Sequence, residues 1–193
     1  MDGSSQARQE PITKRKTDKP IDPLDISHRA KWSVSSFKFG FGAECLLDDD
    51  PDTFWHSDGP QPHFITIEFP RKMAIQKISV LLNYPLDDSY TPSALAIRAG
   101  TGPSDLQDIR MVTLDKPHGW VTFDVSSEPN EDGDGLNPVY AYQLQIIIAQ
   151  NHMSGKDTHV RGLKVLGPVQ EFVGADDAFA FKSPNYRMYE TLR

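Results

Sequence analysis

Cysteine is almost missing from this sequence. Cys45 stands alone, so no disulfide can form within the chain. A β domain of this size that is secreted often carries one, and the lack predicts a reducing compartment, nucleus or cytoplasm. No stretch approaches 18 apolar residues, which excludes a membrane-spanning helix and predicts no membrane partner. The start of the chain has no apolar core of a signal peptide, which predicts no export. Positive charge is also in short supply: 20 Lys and Arg stand against 27 Asp and Glu, for a net charge of −7. That balance argues against a nucleic-acid partner, because phosphates need a basic face. Residues 1–20 hold five basic residues against three acidic ones, so the remainder carries −9. The run Lys14-Arg15-Lys16 fits an import signal or a nucleic-acid arm, with a solvated arm the preferred alternative on so short a cluster. Sustained helical periodicity is absent too.

What is present is alternation with period two. Ile65, Ile67 and Phe69 alternate with Thr66 and Glu68, and Ile78, Val80, Leu82 and Tyr84 alternate with Ser79 and Asn83. Val121, Phe123 and Val125 alternate with Thr122 and Asp124, and Tyr142, Leu144, Ile146 and Ile148 with Gln143 and Gln145. Leu95 with Ile97, and Leu163-Lys164-Val165-Leu166, add further strand-like runs. Short strands divided by Gly, Pro and Asp turns predict an all-β sandwich or barrel. Two helical turns are expected, one over residues 104–109 with Ser104 as N-cap and one near residues 43–47. Residues 128–135 are acidic and turn-rich, which predicts a surface loop. Their spacing departs from a calcium-binding EF-hand. Residues 1–22, polar and aperiodic, are expected to form a flexible, disordered N-terminal arm, residues 23–167 the sandwich, and residues 168–193 a C-terminal tail. Phe172, Phe179, Phe181, Tyr186 and Tyr189 predict that the tail docks, on its own body or on a partner.

Three segments concentrate the polar chemistry. The first runs from Trp32-Ser33-Val34-Ser35-Ser36-Phe37-Lys38-Phe39-Gly40-Phe41-Gly42 to Asp48-Asp49-Asp50-Pro51-Asp52-Thr53-Phe54-Trp55-His56-Ser57-Asp58-Gly59-Pro60-Gln61-Pro62-His63. The second is Asp87-Asp88-Ser89-Tyr90-Thr91-Pro92-Ser93, and the third Asn151-His152-Met153-Ser154-Gly155-Lys156-Asp157-Thr158-His159-Val160-Arg161. In this order and spacing they resemble the Doc domain, specifically the Doc-domain subunit of the anaphase-promoting complex, the cyclosome. The resemblance covers residues 24–167 and the last few positions.

That resemblance implies a galactose-binding-domain-like jelly roll with no active site of its own. It implies a co-receptor in an E3 ubiquitin ligase that shares a destruction-box degron with a WD40 coactivator and raises the processivity of ubiquitination in mitotic cell-cycle control. Cyclins and securin are the implied substrates, and no cofactor is expected. Leu192-Arg193 stand where the family typically ends in Ile-Arg, which implies insertion into a groove of a tetratricopeptide-repeat scaffold subunit. The family often has Gln, Asn and Arg where this chain has Met153, Ser154 and Lys156.

Residue chemistry gives each segment two readings. Asp48-Asp49-Asp50 suit tight turns, Trp55 suits the core, and His56-Ser57-Asp58 suit either a structural or a ligand role. Ser89 and Tyr90 offer small hydrogen-bonding groups and a flat ring, and Pro92 stiffens their loop. Asp87 and Asp88 suit attraction of an arginine in the degron. In the third segment Asn151 suits a peptide backbone, and His152 and His159 can donate or accept. Gly155 suits a positive φ or a close approach by the ligand. Asp157 suits a charge contact, a pair with Lys156 or a loop cap. The expected degron-binding set is therefore Ser89, Tyr90, Asn151, His152, Gly155, Asp157 and His159. The two histidines lack the cluster of a metal site. Ser154 lacks the elbow of a catalytic nucleophile. A carbohydrate-binding module and a jelly-roll hydrolase are the competing classes, the first needing an exposed aromatic at the loop end.

Overall fold

The computed structural model describes residues 24–130 and 135–168. The N-terminal arm with Lys14-Arg15-Lys16, part of the acidic loop, and the tail with Leu192-Arg193 lie outside the described residues.

Alternating apolar residues bury one face of the central strands, so two sheets stack. Five strands form the larger sheet in the order β2 (Lys31–Val34), β4 (His63–Ile75), β9 (Val139–Asn151), β6 (Pro92–Gly100) and β7 (Gln107–Thr113). Four form the other in the order β1 (Leu24–Asp25), β11 (Gly162–Gly167), β5 (Lys77–Asn83) and β8 (His118–Asp124). A ribbon of β3 (Trp55–His56) and β10 (His159–Val160) stands apart. All named strand pairs are antiparallel. Between the sheets Ile65, Ile67, Leu95, Ile97, Leu144 and Ile146 meet Ile78, Val80, Leu82, Leu163 and Val165, all buried. Each such side chain contributes about 1.5–3 kcal/mol on burial. The all-β jelly-roll expectation is met.

Two expectations need correction. Over residues 104–109 there is no helix and Ser104 caps none. The Asp105 carboxylate instead accepts from Thr101 N at 2.9 Å, Gly102 N at 2.8 Å and the Thr101 hydroxyl at 2.6 Å. That closes a tight turn, and β7 starts at Gln107. The hydroxyl bond from Thr101, then the backbone N–H groups, hold the Asp105 carboxyl below its ordinary pKa. The second correction concerns Tyr142, which is 40% exposed and outside the core set. The register of β4 on β9 shifts between Glu68 and Met73, so a bulge carrying Pro70 sits beside Tyr142. The alternation changes phase there, with Gln143 and Leu144 both buried. The helical turn expected near residues 43–47 is a 3-10 turn, Ala43–Leu46.

Candidate functional site

Three connections meet at one end of the sandwich. Between β5 and β6 the chain makes a short helix α1 (Tyr84–Asp87) and a 3-10 turn (Asp88–Tyr90). After β9 it makes a second 3-10 turn (His152–Ser154). Ahead of β4 lies β3, paired to β10 with His56 opposite His159. Ser89, Tyr90 and the Asn151–His159 segment therefore share one surface.

Asn151 is the staple of its loop rather than an outward arm. It is 3% exposed, and its amide donates to the Gly155 and Asp157 carbonyls at 3.2 and 2.9 Å. His152 is likewise engaged: its backbone N–H donates to the Thr91 carbonyl, its Nε2 accepts from Lys116 N–H at 3.1 Å, and its Nδ1 lies 3.0 Å from that same Thr91 carbonyl. This fixes the neutral ring with hydrogen on Nδ1. The ring packs against Tyr84, centroids 4.8 Å apart and planes tilted by 56°.

Gly155 has φ −60, so a positive φ is not its role. A Cβ there would collide with the backbone carbonyl of Ser89. The close approach that demands glycine is between two loops of this chain. The left-handed backbone falls instead on Met153 and Ser154, at φ 51 and 59.

Beneath the rim lies a buried ion pair. Arg161 Nε donates to Asp87 Oδ2 at 2.8 Å and Arg161 Nη2 to Oδ1 at 2.7 Å. Its Nη1 donates to the Pro51 carbonyl at 2.8 Å, tying in the Asp-rich turn. Asp87 Oδ1 also faces His159 Nδ1 at 3.1 Å. Burial pushes the Asp87 carboxyl up, but hydrogen bonds from His159 and Arg161, with the charge of Arg161, carry its pKa below the usual value. The bond to Asp87 raises Arg161 despite burial. Asp87 is thus spoken for, and attraction of a degron arginine is not its role; Asp88 remains exposed.

The groups that face outward are fewer. Tyr90 is 39% exposed and stacks on His159 with centroids 4.3 Å apart and planes 10° apart. His159 also touches the Phe54 and His56 rings. The side chain of Asp157 is 39% exposed, with Ser57 Oγ 3.4 Å from its Oδ1. It makes no ion pair with Lys156 among the described residues. Lys156 is exposed, and its carbonyl accepts from Gln61 and lies 2.7 Å from His63 Nε2. Ser57 is buried and accepts from Thr158 N–H at 2.9 Å, so it is structural, whereas His56 reaches the rim. Trp55 is fully buried, donating to the Ser36 carbonyl at 2.9 Å. Asp48 and Asp50 bond Asp50 N, Thr53 Oγ1 and Asp52 N within their own turn.

The sequence pattern missed Arg161 as an anchor and left His56 undecided. The only signal for either was the pair of short polar-aromatic runs, Phe54-Trp55-His56 and Thr158-His159-Val160-Arg161, which are too brief to show a strand period. Among the described residues no group of three or more His, Cys, Asp or Glu side chains is arranged to hold a metal.

The family model for "Anaphase-promoting complex, subunit 10 (APC10)" matches residues 2–191. The chain belongs to this family. The anaphase-promoting complex subunit 10 of Schizosaccharomyces pombe is 43% identical over 193 residues, covering 98% of this chain and all of the relative. That of Dictyostelium discoideum is 40% identical, covering 90% and 88%. The human subunit is 38% identical, with 76% of each chain covered. Among solved structures, a family 32 carbohydrate-binding module of Clostridium perfringens in complex with GalNAc-β-1,3-galactose aligns at TM-score 0.60 and 15% identity, covering 75% of this chain and all of the module. Another, in complex with galactose, aligns at 0.57, covering 73% of this chain and 96% of the module. At such identity the likeness is one of fold, a jelly roll shared with the APC10 family member described here.

Proposed function

We propose that this chain is a non-catalytic subunit of the anaphase-promoting complex that captures destruction-box segments of substrates such as cyclins and securin, together with a WD40 coactivator. The observation that supports this most is the locking of separate loops into one rim: Gly155 against Ser89, Asn151 across its own loop, and Thr158 Oγ1 on the Tyr90 carbonyl at 3.2 Å. A rim already rigid before binding loses less entropy on meeting an extended peptide. The interaction is weak alone and becomes useful when the coactivator grips the same degron. In this reading Tyr90 and Asp157 touch the peptide, while Asn151, His152 and Gly155 hold the loops that present them and His159, 11% exposed, supports the Tyr90 ring from beneath. Docking through Leu192-Arg193 on a tetratricopeptide-repeat scaffold, and residence in nucleus and cytoplasm, belong to the same proposal.

The double substitution Tyr90→Ala with Asp157→Asn tests it in the reconstituted ligase. Assembly should be unchanged, and the number of ubiquitins added per substrate encounter should fall several-fold. Wild-type chain lengths from the variant complex would refute the site. A sugar ligand has little support on the rim loops: Trp55 is buried, Tyr90 has one face covered by His159, and Trp120, though 44% exposed, lies in β8 with Lys164 over its ring.

A further inference from the structure

At the rim two imidazoles face each other, with His159 Nε2 3.0 Å from His56 Nδ1. One nitrogen of such a pair must carry hydrogen and the other must not. Which one does is decided deeper in the fold. Asp87 is bound on both oxygens by Arg161 and is ionised, so it can only accept. It therefore requires hydrogen on His159 Nδ1, 3.1 Å away. In the neutral ring that leaves His159 Nε2 as a lone pair, which in turn requires hydrogen on His56 Nδ1. His56 Nε2 is then a bare acceptor. No group of the described residues bonds to it, and the ring sits among Phe41, Phe54 and Tyr90.

We propose that His56 is a ligand-contacting and specificity-determining residue of this rim: the relay Asp87–His159–His56 sets its Nε2 as an acceptor for an N–H donor of the bound peptide, and one proton added to the histidine pair turns that atom into a donor. The proposal rests on the peptide-binding reading above. The second half holds whichever ring takes the proton. If His159 takes it, both its nitrogens carry hydrogen, Nε2 donates to His56 Nδ1, and neutral His56 keeps its hydrogen on Nε2. If His56 takes it, both its nitrogens carry hydrogen. In either case the outward atom changes from acceptor to donor and opposes the peptide N–H.

The surrounding charges favour the acceptor form at neutral pH. Burial, then His159 and Lys38, hold the His56 pKa below its ordinary value, against the pull of Asp157 and Asp58. Asp87 from α1 faces His159 Nδ1, Arg161 binds that same carboxylate, and Tyr90 covers one face of the His159 ring. His56 therefore takes up a proton of its own only below about pH 6.5, the ordinary histidine value.

Long-range proton–nitrogen spectra of the full chain, labelled with 15N at histidine, read ring hydrogens directly. At pH 7.5 both His56 and His159 should carry hydrogen on Nδ1, and below pH 6.5 the His56 Nε2 signal should move to the protonated range. A His56 ring with hydrogen on Nε2 at pH 7.5 would overturn the relay. A synthetic cyclin destruction-box peptide should shift the bare Nε2 signal at pH 7.5. His56→Phe, which keeps an aromatic ring in place, should weaken that peptide about tenfold and flatten the loss of affinity on acidification. Unchanged affinity in His56→Phe, with amide shifts persisting over residues 151–159, would overturn the contact and leave the peptide-binding reading standing. Absence of shifts anywhere on the wild-type rim would remove both.

Discussion

At the residue scale the decisive group is a carboxylate withdrawn from water. Asp87 is buried, yet three donors keep it charged. Its folded pKa lies below the unfolded carboxylate value, about 3.9. The native state therefore binds fewer protons than the unfolded chain between those two values. Its stabilising contribution is complete above the unfolded pKa and is lost as pH falls through the folded one. His56 has the same sign at higher pH, because its folded pKa is also depressed. Stability should decline first as pH drops below about 6.5 and again below about 3.9. Urea midpoints measured from pH 8 to pH 3 should show both declines, the upper one vanishing in His56→Phe. Asp87→Asn leaves Arg161 buried without its counter-charge and should cost about 3–5 kcal/mol at pH 7. A loss below 1 kcal/mol would mean that the pair is solvated and the relay has no fixed anchor.

Elements of this fold differ in how plainly the sequence announces them, and the difference is physical. β4, β5, β6, β8, β9 and β11 pack one face on the core, so their apolar residues alternate. β7 is an edge strand whose Ile109 and Val112 are only part-buried and whose Met111 is exposed. A weak alternation beside Leu106 and Ile109, three apart, reads as a helical turn. Asp105 decides the matter by closing the turn ahead of the strand, a contact no period reveals. β1, β3 and β10 have two residues each, too few for any period. The site shows the same division. Tyr90 and Asp157 were legible as exposed chemistry on loops, whereas His159, in β10 and only 11% exposed, lies beneath Tyr90 with both ring nitrogens engaged. The scaffolding roles of Asn151, His152 and Gly155 depend on contacts between distant segments. If the Ser89–Gly155 approach sets the rim, Gly155→Ala should push the two loops apart. Amide exchange should quicken at Tyr90, Thr91 and His152, and peptide affinity should fall. The core strands β4 and β9 should keep wild-type protection, and an unaltered exchange pattern at the rim would contradict the role assigned to this glycine.

On the scale of the whole molecule, the proposed function requires two surfaces to act together. The rim at one end of the sandwich holds few groups, and a handful of hydrogen bonds of about 1 kcal/mol each gives only weak capture. Fixing the chain to a large assembly turns the second contact on a shared degron into an intramolecular event, raising avidity by about 10²–10⁴-fold without any new bond. The rim's value therefore depends on the anchor, which the proposal places at Leu192-Arg193. Among the described residues the core falls within residues 26–165, and the sandwich should fold without the last two positions. Deleting Leu192-Arg193 should leave the melting temperature of the chain unchanged and sharply lower its recovery with the tetratricopeptide-repeat subunits. Ubiquitin chains on a cyclin should then shorten as much as in the Tyr90→Ala, Asp157→Asn variant, although the rim itself is intact. Fusing the truncated chain to a scaffold subunit through a flexible linker should restore them, because local concentration is all that the deletion removed. Full recovery of the truncated chain in the pull-down, or failure of the fusion to restore chain length, would separate the tail from the rim and end the argument for their joint action.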